Sequence, residues 1–369
     1  MNNSFKINNF DLLRILAATQ VVGAHIFGHM GLAAPNWWSA FDGFPGVPVF
    51  FVISGFLISA SYERSSSLKN YARNRVLRIY PGLWCCVLLT TVVAICFGFN
   101  FLNRAAPVWF ASQLVGVIYT PRFLQHFGFG SYNGALWTIP IELQFYLVLP
   151  AVYWLVRKAR NEQLCFWLIW SVFVVLSVLL RWLFPQMDSD VGPQKLVRYS
   201  FFPHFYLFLT GVLLQRAAAY KRNWIAGKAL YWVVGYLGLV FLVRFFAPAA
   251  ALPYAAETTA CMLVLAIATV AAAYTVPGAS HRILRGNDIS YGVYIYHGLI
   301  MNALIELGLI GRPRYAVLLI CCTYIAGYLS WIVVERRFLR RKQQTISPRF
   351  NDTPQPLKDL SRRPMASGQ

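Results

Sequence analysis

Residues 11–25 read DLLRILAATQVVGAH, an apolar run that nevertheless holds an acid, a guanidinium and an imidazole. Charged or titratable groups are expensive in hydrocarbon, so a membrane helix that keeps them usually uses them. Arg14 and His25 are eleven residues apart. That spacing is about three turns at ~3.6 residues per turn, so both side chains share one helix face. Along the axis they lie about 16 Å apart, near half the thickness of the hydrocarbon core. One face therefore carries a fixed cation near one boundary and a proton-transfer group toward the other. The stretch lacks a basic leading cluster and a small-x-small cleavage site, so it is expected to stay as the first spanning helix rather than leave as a signal peptide.

The remaining composition agrees with a chain built in lipid. Of 369 residues, 58% are hydrophobic and 16% aromatic, and only 12% are charged. Mean hydropathy is +0.51, the range of polytopic membrane proteins rather than of two or three soluble domains. The net charge of +20 would suggest nucleic acid in a soluble protein. Here the Lys and Arg residues fall in loops and the tail, as cytoplasmic loops require, and anionic lipid or a phosphate-bearing cofactor is the expected partner. Seven cysteines include the vicinal pairs Cys85-Cys86 and Cys321-Cys322, without Cys-x-x-Cys or metal-ligand spacing. They read as small packing hydrophobes, and no metal is expected.

Apolar segments recur at 10–30, 45–62, 78–98, 135–157, 163–184, 200–218, 228–247, 254–275, 289–310 and 315–335, each long enough for about 30 Å of hydrocarbon. Residues 107–119 are apolar but short. Counting them as a span would invert everything that follows and move most basic residues outward, so the positive-inside rule favours ten spans with 107–119 re-entrant or interfacial. The expected fold is all-α, one bundle of about ten transmembrane helices over residues 1–340 with both termini cytoplasmic. Residues 341–369 turn polar and proline-bearing and read as a disordered basic tail.

Four further segments carry chemistry. GVPVFFVISGFLIS (46–59) supplies small residues for close helix packing, and Ser54 at its centre. YARNRVLRIYP (71–81) clusters Arg73, Arg75 and Arg78 just before the third span. It serves either as a topogenic charge cluster or as a clamp for phosphate, whose geometry arginine forks match. LWTIPIELQFY (136–146) opens the fourth span with Pro140 in an early turn and Glu142 just inside. Glu142 and His25 approach similar depth from opposite directions, so the carboxylate is expected either to orient the imidazole or to form a structural ion pair. ISYGVYIYHG (289–298) places Ser290, Tyr294 and His297 on one stripe, to tie helices or to line a substrate path. His29, His204, Glu257 and Glu306 are isolated polar residues more suited to helix tying or mouth lining than to chemistry.

In this order the segments resemble the acyltransferase-3 family of integral-membrane O-acyltransferases, which modify bacterial surface carbohydrates. The resemblance rests on Asp11-x-x-Arg14 with His25, on the run around Ser54-Gly55, and on Arg75-x-x-Arg78-Ile-Tyr-Pro81. It continues through Trp137-x4-Glu142-x-x-Phe-Tyr and Ser290-Tyr-x-x-Tyr-x-x-His297 to Glu335-Arg336, covering about residues 10 to 340. Arg337 stands where the family usually has proline, and Ile139-Pro140 replaces a more usual Ser-Leu-like pair. The resemblance implies acetyl-CoA or another acyl-CoA as donor. It implies a hydroxyl of a surface polysaccharide, such as a lipopolysaccharide O-antigen, or of a lipid-linked glycan as acceptor, in a multi-pass protein of the bacterial inner membrane. Arg14 and His25 are implied to be essential. With no room in the short tail for an appended periplasmic hydrolase-like domain, a single-domain reaction is expected.

The expected assignment follows. His25 is the general base, oriented by Glu142. Arg14, with Asp11, Arg73, Arg75 and Arg78, grips the cofactor's phosphates at the cytoplasmic mouth. Ser54, Ser290, Tyr294 and His297 line the substrate path. The rival reading is a transporter or flippase for a lipid-linked or acidic substrate, with the same charges lining its route. No internal repeat is evident, which favours the enzyme.

Overall fold

Backbone polar groups left unpaired in hydrocarbon cost free energy, and a helix satisfies them within one segment. The computed structural model describes residues 8–65, 67–184, 193–246 and 251–340. Among them all regular structure is helical. Ten longer helices follow one another, α1 Phe10–His29, α2 Gly46–Glu63, α3 Leu68–Cys96, α4 Thr138–Lys158 and α5 Glu162–Leu183 in the first half. The second half has α6 Phe205–Arg216, α7 Ala229–Phe246, α8 Ala251–Ala273, α9 Ser290–Glu306 and α10 Pro313–Ser330. A π-helical turn, Trp331–Glu335, continues α10.

Each expected apolar segment coincides with one of these helices. Among the described residues, six helical stretches are long and apolar enough to cross a membrane: Phe10–His29, Trp38–Glu63, Leu68–Cys96, Gly134–Lys158, Glu162–Leu183 and Pro313–Arg340. Phe205–Arg216, Ala229–Val243 and Thr258–Ala273 are shorter apolar helices. Within the ambiguous 107–119 stretch only a nine-residue helix forms, Ala106–Leu114. Its Trp109 is fully buried and donates from Nε1 to the Tyr119 carbonyl at 2.9 Å. The expected tail, 341–369, lies outside the described residues, as does the side chain of Glu257.

One boundary differs in a way that matters. α3 starts at Leu68, well ahead of residue 78, because Ser67 caps it by accepting from the Asn70 N–H at 3.2 Å. Arg73, expected in a loop, therefore shares a helix with Arg75 and Arg78. The arginines gain a rigid mounting.

Helix association in lipid depends on close packing, and glycine permits it. A Cβ on Gly55 of α2 would overlap the Phe208 carbonyl of α6, and one on Gly211 of α6 would overlap the Val52 carbonyl of α2. The Ser-Gly pair thus serves packing through Gly55, while Ser54 faces a cavity. α9 is enclosed for most of its length, between α1, α3 and α10. α5, by contrast, exposes Leu164, Leu168, Val172 and Val175, as a lipid-facing helix does. Gly55→Ala should lower the melting temperature of the detergent-solubilised protein, at about 1–3 kcal/mol for an overpacked contact. Gly235→Ala, where nothing stands within 4 Å of an added Cβ, should leave it unchanged or raise it.

Candidate active site

The start of α1, the end of α2 and the starts of α3 and α9 converge at one end of the bundle. There a cavity of about 620 Å³ opens. Five guanidiniums line it, from Arg14, Arg64, Arg73, Arg75 and Arg78, against the carboxylates of Asp11, Glu142 and Asp288. Farther in, the walls are apolar, with Val47, Phe50, Leu57 and Ile79. Ser54, Ser290, Tyr294, Thr138 and Tyr146 add hydroxyls. Asp11 and Leu339, from opposite ends of the described bundle, line the same cavity.

The organising contact at the mouth is one the motifs did not reveal. Asp288, just ahead of α9, accepts from Arg78 Nη2 at 2.5 Å and from Arg14 Nη1 at 3.4 Å through the same oxygen. Its other oxygen takes the Ser290 hydroxyl at 2.5 Å. Burial by itself would raise the Asp288 carboxyl, but Arg78, Arg14 and Ser290 outweigh it and hold the group down at about 2. Arg14 Nη1 also meets Asp11 at 3.4 Å. Arg75 is nearly buried, donating to Ser61 Oγ at 3.2 Å, with its guanidinium 5.7 Å from the centre of the Tyr146 ring. The only sequence signal for Asp288 is a lone acid between Arg285 and the Ser290 motif.

Glu142 lies deeper and does not orient His25, contrary to expectation. Its Oε1 accepts from Ser54 Oγ at 3.0 Å and from the Tyr146 hydroxyl, which α4 places one turn along. Similar depth along two helices did not imply contact. The partner of His25 is His297, with Nδ1 of the first 2.9 Å from Nε2 of the second. His297 is fully buried, and its Nδ1 donates to the Tyr294 carbonyl at 2.7 Å.

Arg14 and His25 were expected to face one common space. Arg14 lines the cavity, but His25 and His297 do not. Tyr294 lines the cavity, its hydroxyl pairs with Thr138 Oγ1 at 2.9 Å and its ring lies 5.4 Å from that of Phe50. The histidine pair sits one turn beyond. Ser54, Ser290 and Tyr294 are thus cavity residues, whereas His297 belongs to His25. His29 stacks on Phe129, ring centres 4.2 Å apart. His204 bonds the Arg198 carbonyl at 3.1 Å, and Glu306 accepts from the Gly128 N–H at 2.7 Å, so both tie backbone together.

A family model described as an acyltransferase domain matches residues 7–332. This chain belongs to the acyltransferase-3 family. It is 30% identical to Nodulation protein 10 of Rhizobium leguminosarum bv. viciae, over 93% of this chain and 96% of that protein. With the O-acetyl transferase of Shigella phage Sf6 it shares 28% identity over 93% and 99% of the two chains. Peptidoglycan O-acetyltransferase OatA of Listeria monocytogenes is 25% identical over 89% of this chain and 55% of its own length. No solved structure matches the chain. The acyltransferase-3 member described here is an O-acyltransferase and a multi-pass membrane protein.

Removing the anion that two guanidiniums share takes away the 2.5 Å partner of Arg78 and leaves Arg14 with Asp11 at 3.4 Å. Asp288→Ala should therefore destabilise the protein by about 3–5 kcal/mol. The carboxyl's ordinary value is 3.8 and its folded value about 2, so about 2 kcal/mol of this contribution is present above pH ~4 and is lost as pH falls through ~2. Thermal unfolding in detergent between pH 7 and pH 2 checks both. The gap between wild type and Asp288→Ala should be full at pH 7 and narrow toward the acid end.

Proposed function

We propose that this protein moves an acetyl or other short acyl group from acyl-CoA to a hydroxyl of a surface polysaccharide or lipid-linked glycan, with His25 as general base. The observation that carries this reading is the cavity, with arginines at its mouth, an apolar shaft, and its inner end one side-chain layer from His25. Phosphates suit the mouth, because guanidinium forks match their geometry. A pantetheine arm suits the apolar shaft. Asp288 engages Arg14 and Arg78 and so holds two of these forks in place, and Arg14, Arg73, Arg75 and Arg78, with Asp11, are read as the donor-phosphate grip.

Relatives support the acceptor class. Two are named O-acetyltransferases, one of them for peptidoglycan, and a third, from Rhizobium meliloti, is named an exopolysaccharide production protein. The bundle is read as ten spans in a bacterial inner membrane with both ends cytoplasmic. Asp11 and Leu339 at one mouth support the even count. The donor then arrives from the cytoplasm and the acceptor from the opposite side, at His25.

In the reaction, His25 removes the proton of the acceptor hydroxyl as its oxygen bonds the thioester carbonyl carbon. The C–S bond breaks, and the thiolate leaves with the proton returned by His25. The thioester reaches that point by passing the Tyr294–Thr138 layer.

Membranes supplied with labelled acetyl-CoA test the proposal. His25→Ala should lower label in surface carbohydrate by at least about 100-fold. Equal label in wild type and variant removes His25 from the mechanism. Arg14→Lys keeps the charge and loses the fork; it should weaken donor affinity, measured as the KM for acetyl-CoA.

A further inference from the structure

The hydrogen bonds around His297 fix which nitrogen of His25 holds the lone pair. A carbonyl oxygen only accepts, so the Tyr294 carbonyl, 2.7 Å from His297 Nδ1, places the hydrogen on that nitrogen. In the neutral ring the other nitrogen, Nε2, then carries a lone pair. The atom facing it at 2.9 Å is His25 Nδ1, which must therefore be the protonated nitrogen of its own ring. What remains is His25 Nε2, with its lone pair outside the pair.

We infer that His297 is the positioning residue of the reaction, holding His25 as the Nδ1–H tautomer so that its Nε2 accepts the acceptor's hydroxyl proton. This rests on the reading of His25 as base. A second-residue acceptor on the far nitrogen is the usual device for fixing a catalytic imidazole, and a carboxylate often supplies it. Here a neutral imidazole does so. The choice suits hydrocarbon depth, where a second ionised group would need its own partner.

The surroundings support a fixed ring. His297 is fully buried on the enclosed α9, and its backbone anchor is the turn before it on the same helix. Among the described residues, the charged or titratable neighbours of His25 are His29 on α1, His297 on α9, and Arg198 from the segment before α6. None of them is a carboxylate. His25 also has edge-on ring contacts with His29 and Phe129, at 5.6 and 6.3 Å between ring centres. When Nε2 gains the proton, the imidazolium's Nδ1–H still points at a lone pair, which steadies the charge until the proton passes to the departing sulfur.

Two substitutions of similar polarity separate this role from helix tying. Asn at 297 keeps a donor near the Nδ1 position, and so the Tyr294 carbonyl bond, but cannot reach His25. Gln places an acceptor near the Nε2 position. Initial rates are measured by transfer of labelled acetyl from varied acetyl-CoA to the glycans of the host's own membranes. His297→Asn should lower kcat by about 100-fold or more with the KM for acetyl-CoA unchanged, whereas His297→Gln should stay within about 10-fold of wild type. Equal losses in both variants, or a wild-type rate in His297→Asn while His25→Ala is inactive, overturn the assignment without touching His25. A wild-type rate in His25→Ala instead overturns the reading beneath it. A measurement on the unaltered protein stands independently of how the variants fold. Nitrogen-15 spectra of histidine-labelled protein in nanodiscs, with the His25 signals identified by their loss in His25→Ala, should show Nδ1 protonated. Protonated Nε2 with bare Nδ1 refutes the inference.

Discussion

One carboxylate oxygen shared by two guanidiniums, Asp288 between Arg14 and Arg78, joins the starts of three helices. α1, α3 and the turn before α9 each bring a charge that could not stand alone near hydrocarbon, and each becomes tolerable only with the others present. That mutual need sets the rotation of α1 about its axis. With Arg14 turned toward Asp288, the face three turns along is turned toward α9 as well, and His25 arrives beside His297. The mouth of the cavity and the histidine pair are two ends of one alignment.

The site is divided by that alignment rather than continuous. On one side stands a cavity with arginines at its entrance and a Ser54–Glu142–Tyr146 hydrogen-bonded group in its wall. On the other stands the imidazole pair. Between them lie the Tyr294–Thr138 hydroxyl pair and the Phe50 ring. In the proposed reaction a thioester reactive toward water gains from such a partition, since the charged entrance and the histidine pair need not share solvent. Glycine contacts at Gly55 and Gly211 bring α2 and α6 together, and with them the wall that holds Ser54. Packing and chemistry here use adjacent residues of one motif.

Much of this was legible in the linear chain. Apolar runs of spanning length located every long helix, because in lipid a backbone has few alternatives to helix. The shortness of 107–119 was a sound reason to doubt a crossing. The eleven-residue spacing put Arg14 and His25 on one face, since periodicity along a single helix needs no tertiary information. The glycine run announced close packing. The start of α3 lies outside the apolar run because its first turns are polar and held by a serine cap.

What the sequence determined by itself was local: helix positions, the residues sharing a face, and an inventory of intramembrane polar groups too costly to be idle. Which of those groups meet was decided only when the helices packed. Depth along a helix is readable from spacing, but azimuth is not, so Glu142 and His25 at similar depth turned to different neighbours. Asp288 became a keystone only because two arginines distant in the chain reached it. The tautomer inferred for His25 rests on a carbonyl one turn away from a residue 272 positions along. Such pairings are properties of side-chain direction in the folded bundle, which no spacing rule along one chain can supply.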